Sequence, residues 1–506
     1  MTVISRRVFF RGMVGVFAAS ALAACSTQTP PRGYDGDTRP LPVPELYEST
    51  LDDAGTRHFT LKAQPGSAEI LPDVRTETWG FNGGFLGPTL RAHRGDHVRV
   101  DIANELDTMT TVHWHGMKLP AWADGGPHSP IEPGGAWSPE WEIIQPAATL
   151  WYHPHPHGET GLHCYRGLAG MIILDDEVSE SVALPSEYGV DDVPLVILDA
   201  KFTGDGQLDE SIDPDLGLIG DTPVVNGITN AHFDAATRRV RFRVLDGATM
   251  RFYNLAFSDH RPFHVVGTDQ GLLETPVQVE YVLMGPGERV EIVVDLEPGE
   301  DVRLQSQPLD GNFGLPEDNP VDFGFQDAFD LLTIHGPSDD APAPGPLPQE
   351  LDPAAAAVPE RANAVEREFV LNTFQINGRS MDMSRVDVTV DRDRPEIWRV
   401  TNENADWPHN FHIHDCRFKV LEFDNNHVAQ VATYGWKDTV AIPPRGAVTL
   451  GVEFGWYPDP SVPYMFHCHM LFHEDSGMMG QFVIVEQGQE ADLKPMSGGG
   501  SIHDHA

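Results

Sequence analysis

Positive charge, cysteine and helical periodicity are all scarce in this chain, and each scarcity narrows the reading. Its 34 lysines and arginines face 76 aspartates and glutamates, a formal net charge of −42. With no basic stripe to neutralise phosphates, nucleic acid is excluded as a partner. The acidic surface serves solubility or salt tolerance and steers cations by long-range attraction. The cysteines are only four: Cys25, Cys164, Cys416 and Cys468. In place of helix-period stripes, short alternating apolar runs recur: Val98, Val100, Ile102; Val240, Phe242, Val244; Val290, Ile292, Val294; Leu450, Val452, Phe454. Period-two alternation in a chain with 48 glycines and 42 prolines predicts half-buried strands and an all-β fold.

The apolar run from about Met13 to Ala24 is too short to span a bilayer as a permanent helix. It follows Ser5-Arg6-Arg7-Val8-Phe9-Phe10, the pattern of a twin-arginine signal, and ends in Leu22-Ala23-Ala24-Cys25, which resembles a bacterial lipobox. Residues 1–25 are therefore expected to be a signal peptide. Export by the twin-arginine route would leave the protein lipid-anchored through Cys25 to the outer face of the cytoplasmic membrane, or periplasmic or extracellular. Residues 26–44 read as a tether, 45–180 as a first β domain, 190–336 as a second, 337–361 as a Pro-rich linker and 362–488 as a third domain. Residues 489–506, with His503 and His505, read as a flexible tail. An Asn-Gly pair precedes a strand once per domain (Asn82-Gly83, Asn226-Gly227, Asn377-Gly378), which supports three related units.

Histidine is concentrated in four places: His113-Trp114-His115, His153-Pro154-His155, His409-Asn410-Phe411-His412-Ile413-His414, and His467-Cys468-His469 with His473 and Met478 downstream. An isolated His-x-His is weak evidence; four such clusters, one carrying His-Cys-His, are not. A thiolate, two imidazoles and a distant thioether make a blue-copper electron-transfer set. Cys468, His473 and Met478 supply three of these, so one imidazole must come from elsewhere. In extended backbone His467 and His469 point away from Cys468 and face a different metal. The segment reads as a wire between two copper centres.

On these motifs the chain resembles a three-domain bacterial multicopper oxidase. The resemblance implies three cupredoxin-like Greek-key β-sandwich domains and four copper ions. It places type 1 copper on His409, Cys468, His473 and axial Met478, type 2 copper on His113 and His412, and the type 3 pair on His115, His153, His155, His414, His467 and His469. It also implies a monomer that reduces O2 to water, with Asp124 and Glu474 as the carboxylates relaying protons to the trinuclear cluster. His157, His260 and His264 read as structural or surface residues. Cys164 and Cys416 are left either as a bridge between the first and last domains or as buried free thiols.

The electron donor is sought around Asp406-Trp407-Pro408-His409, which is similar to bilirubin oxidases, as are Phe418-Lys419-Val420 and the run Tyr464 to His469. Copper-efflux oxidases and spore-coat laccases share Gly435-Trp436-Lys437-Asp438-Thr439. Two departures from the family pattern are Asn410, where many relatives have proline, and Asp415, where many have glycine. Cuprous oxidases are expected to carry a methionine-rich insert. The 14 methionines here form no dense run beyond Met478-Met479, and Met381 and Met383 are better read as packing. Phenolic or tetrapyrrole-like (bilirubin-like) donors are therefore expected first, and Cu(I) in copper resistance second. A noncatalytic cupredoxin-like scaffold comes third, since such relatives typically lose the ligands that this chain keeps. A two-domain nitrite reductase does not fit the full set of histidine pairs.

Overall fold

The computed structural model describes residues 36–316, 319, 323–392, 394–424, 434–454 and 456–493. The twin-arginine motif, Cys25, His503 and His505 lie outside them. The regular secondary structure of the described chain is nearly all β, arranged as three successive pairs of sheets. Every pair is built alike. In each, the first long strand (Arg57–Ala68, Asp192–Ala200, Val365–Asn372) runs parallel to a later one (His97–Asn104, Arg239–Asp246, Glu396–Asn402). The facing sheet repeats the device, Leu90–His93 pairing parallel with Gly170–Asp175, Ala231–Asp234 with Phe329–His335, and Val388–Asp391 with Met479–Val485.

The three Asn-Gly pairs explain part of this likeness. Asn82, Asn226 and Asn377 all have positive φ (58°, 48° and 54°), which asparagine tolerates better than most residues. Each clamps the first strand of its unit in the same way. The amide oxygens accept from the main-chain N–H of Lys62, Val196 and Val370, and the amide nitrogens donate to the carbonyls two residues earlier, Thr60, Pro194 and Glu368. A single asparagine thus satisfies main-chain groups that a turn would leave unpaired.

Apolar residues at alternate strand positions fill the sandwiches: Phe59, Leu61, Val98, Val100 and Ile102 in the first, Val240, Phe242, Val244, Val290 and Ile292 in the second, and Phe369, Trp398, Phe411 and Phe482 in the third. Within the stretch read as a tether, Arg39–Pro40 pair with Ala231–Asp234 and Leu41 is buried. Within the Pro-rich stretch, Leu351 joins the core of the middle unit. Cys164 and Cys416 are buried free thiols, which settles the bridge question: Cys164 Sγ lies 4.0 Å from His153 Nδ1, while Cys416 Sγ donates to the Ile413 carbonyl.

Candidate metal centre

The strand His409–Ile413 delivers His409, and the segment after the strand Asp459–His467 delivers Cys468. The short helix Leu471–Asp475 then places His473. Gly477, at φ +97°, ends that helix in the left-handed conformation and turns the chain back, so that Met478 accepts from Cys468 N–H through its carbonyl and donates through its N–H to the carbonyl of His473. Cys468 Sγ lies 3.6 Å from His409 Nδ1 and 3.5 Å from His473 Nδ1, and the two nitrogens lie 3.1 Å apart. Met478 is fully buried in the same core as Cys468. Burial pushes the Cys468 thiol up to about 12 and the His473 imidazole down to about 3. Such a thiol ionises at neutral pH only beside a cation, and a neutral imidazole offers its lone pair to one.

The eight other predicted ligands converge on a second site, assembled from the first and third units. Strand pairing sets their register: His113 lies opposite His153, and His412 opposite His467. Rings from the two units then stack across the junction, His113 on His414 at 3.8 Å and His115 on His412 at 3.7 Å. Main-chain and carboxylate acceptors fix the tautomers. His113 Nδ1 donates to the Asp124 carbonyl, His153 Nδ1 to the Pro154 carbonyl, His412 Nδ1 to the Asp438 carbonyl, and His115 Nε2 to Asp438 Oδ1. The opposite nitrogens (His113 Nε2, His153 Nε2, His412 Nε2, His115 Nδ1) and both nitrogens of His469 are buried without a hydrogen-bond partner. Burial holds His113, His115, His153, His414 and His469 well below the ordinary imidazole range, so they stay neutral.

These orphans test whether metal fits. Buried polar atoms without partners are rare in native proteins, and here they share one pocket. His155 Nε2 and His414 Nε2 approach His467 Nε2 to 3.2 and 3.3 Å. Two imidazole ligands of one tetrahedral metal, bonded at about 2.0–2.1 Å, stand about 3.3 Å apart. Histidine and thiolate are ligands suited to copper. The residues present fit the group.

Both family-matched carboxylates touch this site. Asp124 Oδ2 accepts from His414 Nδ1 at 2.8 Å and Oδ1 lies 3.5 Å from His113 Nδ1. Glu474 sits 3.3 Å from His155 Nδ1 and 3.0 Å from His467 Nδ1. They differ in charge preference. Burial, with Asp415 adding to it, pushes Asp124 well above the carboxylate range. Burial opposes ionisation of Glu474 too, but His155 and His467 outweigh it and hold Glu474 well below that range.

The donor sets join through one peptide stretch, His467-Cys468-His469. The family models described as "Multicopper oxidase" match residues 62–179 and 350–488. The chain belongs to the multicopper oxidase family. It is 33% identical over 445 residues to the multicopper oxidase mco of Staphylococcus haemolyticus, covering 87% of this chain and 92% of that one. It is also 34% identical over 498 residues to the cell division protein FtsP of Xenorhabdus nematophila, covering 96% and 99%. Among solved structures it resembles the laccase-like multi-copper oxidase CueO of Ochrobactrum sp., described as having oxidase activity towards lignin model compounds and lignosulfonate. That likeness has TM-score 0.76 and 34% identity, over 88% of this chain and all of that one.

Phe374 carries no sequence signal that singles it out, and Trp407, singled out beside His409, meets a different ligand. Trp407 precedes His409 by two positions, yet its ring stacks on His473, at 5.3 Å and 9°. It lies just before the strand that begins at His409, so strand alternation does not govern it. Phe374 packs on both rings. The two departures find their reasons here. Asn410 accepts from His469 N–H at 2.5 Å and lies 3.5 Å from Cys468 Sγ, which a proline could not do. Asp415 takes φ 45°, the conformation that favours glycine, and binds Leu119 N–H with its carboxylate. Outside the site, His157 and His260 are exposed and His264 is half-buried on a middle-unit strand.

Proposed function

We propose that this chain is an exported copper oxidase. It takes electrons singly from phenolic or tetrapyrrole-like donors beside Trp407 and passes them to dioxygen at the histidine cluster. The observation that carries the reading is the convergence of the eleven expected histidine and cysteine donors in two pockets joined by His467-Cys468-His469, with Met478 buried in the same core as Cys468. His409, Cys468, His473 and Met478 would hold type 1 copper, and His113 with His412 would hold type 2. The remaining six imidazoles would hold the type 3 pair. When bound, copper at the first pocket supplies one-electron chemistry, and the cluster supplies four-electron reduction of O2 to water. His473 is buried, whereas Trp407 is part-exposed and stacked on it, so a flat donor meets Trp407 first. Asp406, exposed beside it, is placed to accept a phenol's proton. Asp124 and Glu474, each within 3.3 Å of a cluster histidine, would be the carboxylates that relay the protons oxygen reduction consumes. The activity described for the Ochrobactrum relative supports aromatic donors.

Cu(I) is the second reading, favoured by the net charge of −42, which attracts cations. The cell-division name of the Xenorhabdus relative supplies a third, a scaffold without turnover. Metal analysis and an absorption spectrum of the purified protein come first, with four coppers and an intense orange-red band expected. Specificity constants for a methoxyphenol, bilirubin and Cu(I) then choose the donor. A preference for Cu(I) by orders of magnitude reverses the order, and full loading without oxygen consumption favours the scaffold. Export and the lipid anchor rest on residues 5–25; unchanged membrane retention of a Cys25→Ala variant removes the anchor.

A further inference from the structure

The middle unit donates no ligand to either pocket, yet it supplies Arg289, one of the largest fully buried side chains of the molecule. Every nitrogen of its guanidinium is bonded, and the bonds reach all three units. Nε donates to the Thr149 carbonyl in the first unit at 3.0 Å. Nη1 and Nη2 donate to the Gly287 and Asp269 carbonyls in the middle unit, both at 2.9 Å. The same two nitrogens form a fork on Asp438 in the third unit, at 2.8 and 2.6 Å. Asp438 is the residue whose Oδ1 and main-chain carbonyl receive His115 and His412. Gly116, directly after His115, has φ +85°, and a Cβ there would lie 2.6 Å from Arg289 Nη2 and 2.7 Å from Asp438 Oδ2. The glycine of the His-Trp-His-Gly motif therefore makes room for this ion pair. We infer that Arg289 is a positioning residue for the trinuclear site, locking Asp438 so that His115 presents Nδ1 and His412 presents Nε2 to copper.

The inference rests on the copper reading above. A lysine in place of Arg289 would keep the charge but lose the planar fork that grips both carboxylate oxygens. Outer partners of metal-bound histidines typically change metal affinity or activity about 10–100-fold. The test uses the full chain, copper-loaded, with Arg289→Lys and the charge-balanced double variant Arg289→Met/Asp438→Asn, which leaves no unpaired buried charge to unfold it. Copper retention against a chelator and the type 2 electron paramagnetic resonance spectrum are read beside the type 1 absorption band. The expected result is cluster copper held about 10–100-fold more weakly with altered type 2 hyperfine splitting and the blue band unchanged, the effect of Arg289→Lys being milder than that of the double variant. Wild-type splitting and retention in both variants overturn it, as does parallel loss of the type 1 and type 2 signals, which marks general destabilisation. A wild-type protein that binds no copper sinks the functional reading itself, whereas a loaded wild type matched by its variants sinks only this inference.

Discussion

The two pockets differ in how far the chain must fold before they exist. His409, Cys468, His473 and Met478 all belong to the third pair of sheets, and three of them lie within eleven consecutive residues. The eight-histidine pocket takes four rings from residues 113–155 and four from residues 412–469, and stacks two pairs of them across the junction. The first is a property of one sandwich; the second is a property of a junction. Metal chemistry follows the same division. A thiol and two imidazoles packed into a core offer one compact donor set in a fixed surround. A junction lined with orphaned nitrogens and two carboxylates of opposite charge preference offers donor atoms from both units together with groups that exchange protons.

Breaking the local pocket is expected to have the largest effect. Cys468→Ser should abolish the blue band and all turnover while the histidine pocket keeps its copper, since no cluster ligand is lost; metal counting with optical spectra checks this. Glu474→Gln, on the junction side, should slow oxygen reduction about 10²–10⁴-fold with the blue band intact. Stopped-flow reoxidation of the reduced enzyme would measure it, and an unchanged rate would remove Glu474 from proton supply. Asp124→Asn should slow turnover less, about 10–100-fold, because the amide oxygen still receives His414 Nδ1. Normal turnover would leave Asp124 a structural role alone.

Smaller effects sharpen the contrast. Trp407→Ala removes a stacked ring and a contact worth about 0.5–1.5 kcal/mol, so the Michaelis constant for a phenolic donor should rise severalfold while that for O2 stays constant. Asn377→Ala should destabilise the third sandwich by about 0.5–1.5 kcal/mol through its lost strand clamp, read as an earlier thermal loss of the blue band.

The thiolate segment was legible in the sequence because ligand chemistry is carried by residue type and spacing, and the family resemblance of the motifs supplied the rest of the donor set. His-Cys-His names a thiolate between imidazoles, and alternation along an extended chain sends Cys468 one way and its neighbours the other. The all-β reading followed from period-two patterns whose apolar members now form the three cores. Asn82, Asn226 and Asn377 looked like ordinary turn residues, although their shared strand clamp is part of what makes the units alike. Trp407 was tied to His409 by proximity in sequence, but it covers His473. Residues 407 and 473 meet only when the helix Leu471–Asp475 docks against the strand beginning at His409.

By itself the sequence determined which side chains can serve as metal donors, because that depends on residue type and on the short-range geometry a strand enforces. Tertiary structure alone decided which histidine nitrogen faces the pocket and which ring a donor meets first. It decided also that Cys164 and Cys416 stay free, and that Arg289 of the ligand-free middle unit reaches Asp438. Apart from local bonds such as that from His153 Nδ1 to the Pro154 carbonyl, these depend on contacts between residues tens to hundreds of positions apart. Such pairings are fixed by the packing of three sandwiches against one another, and they leave no periodic trace along the chain.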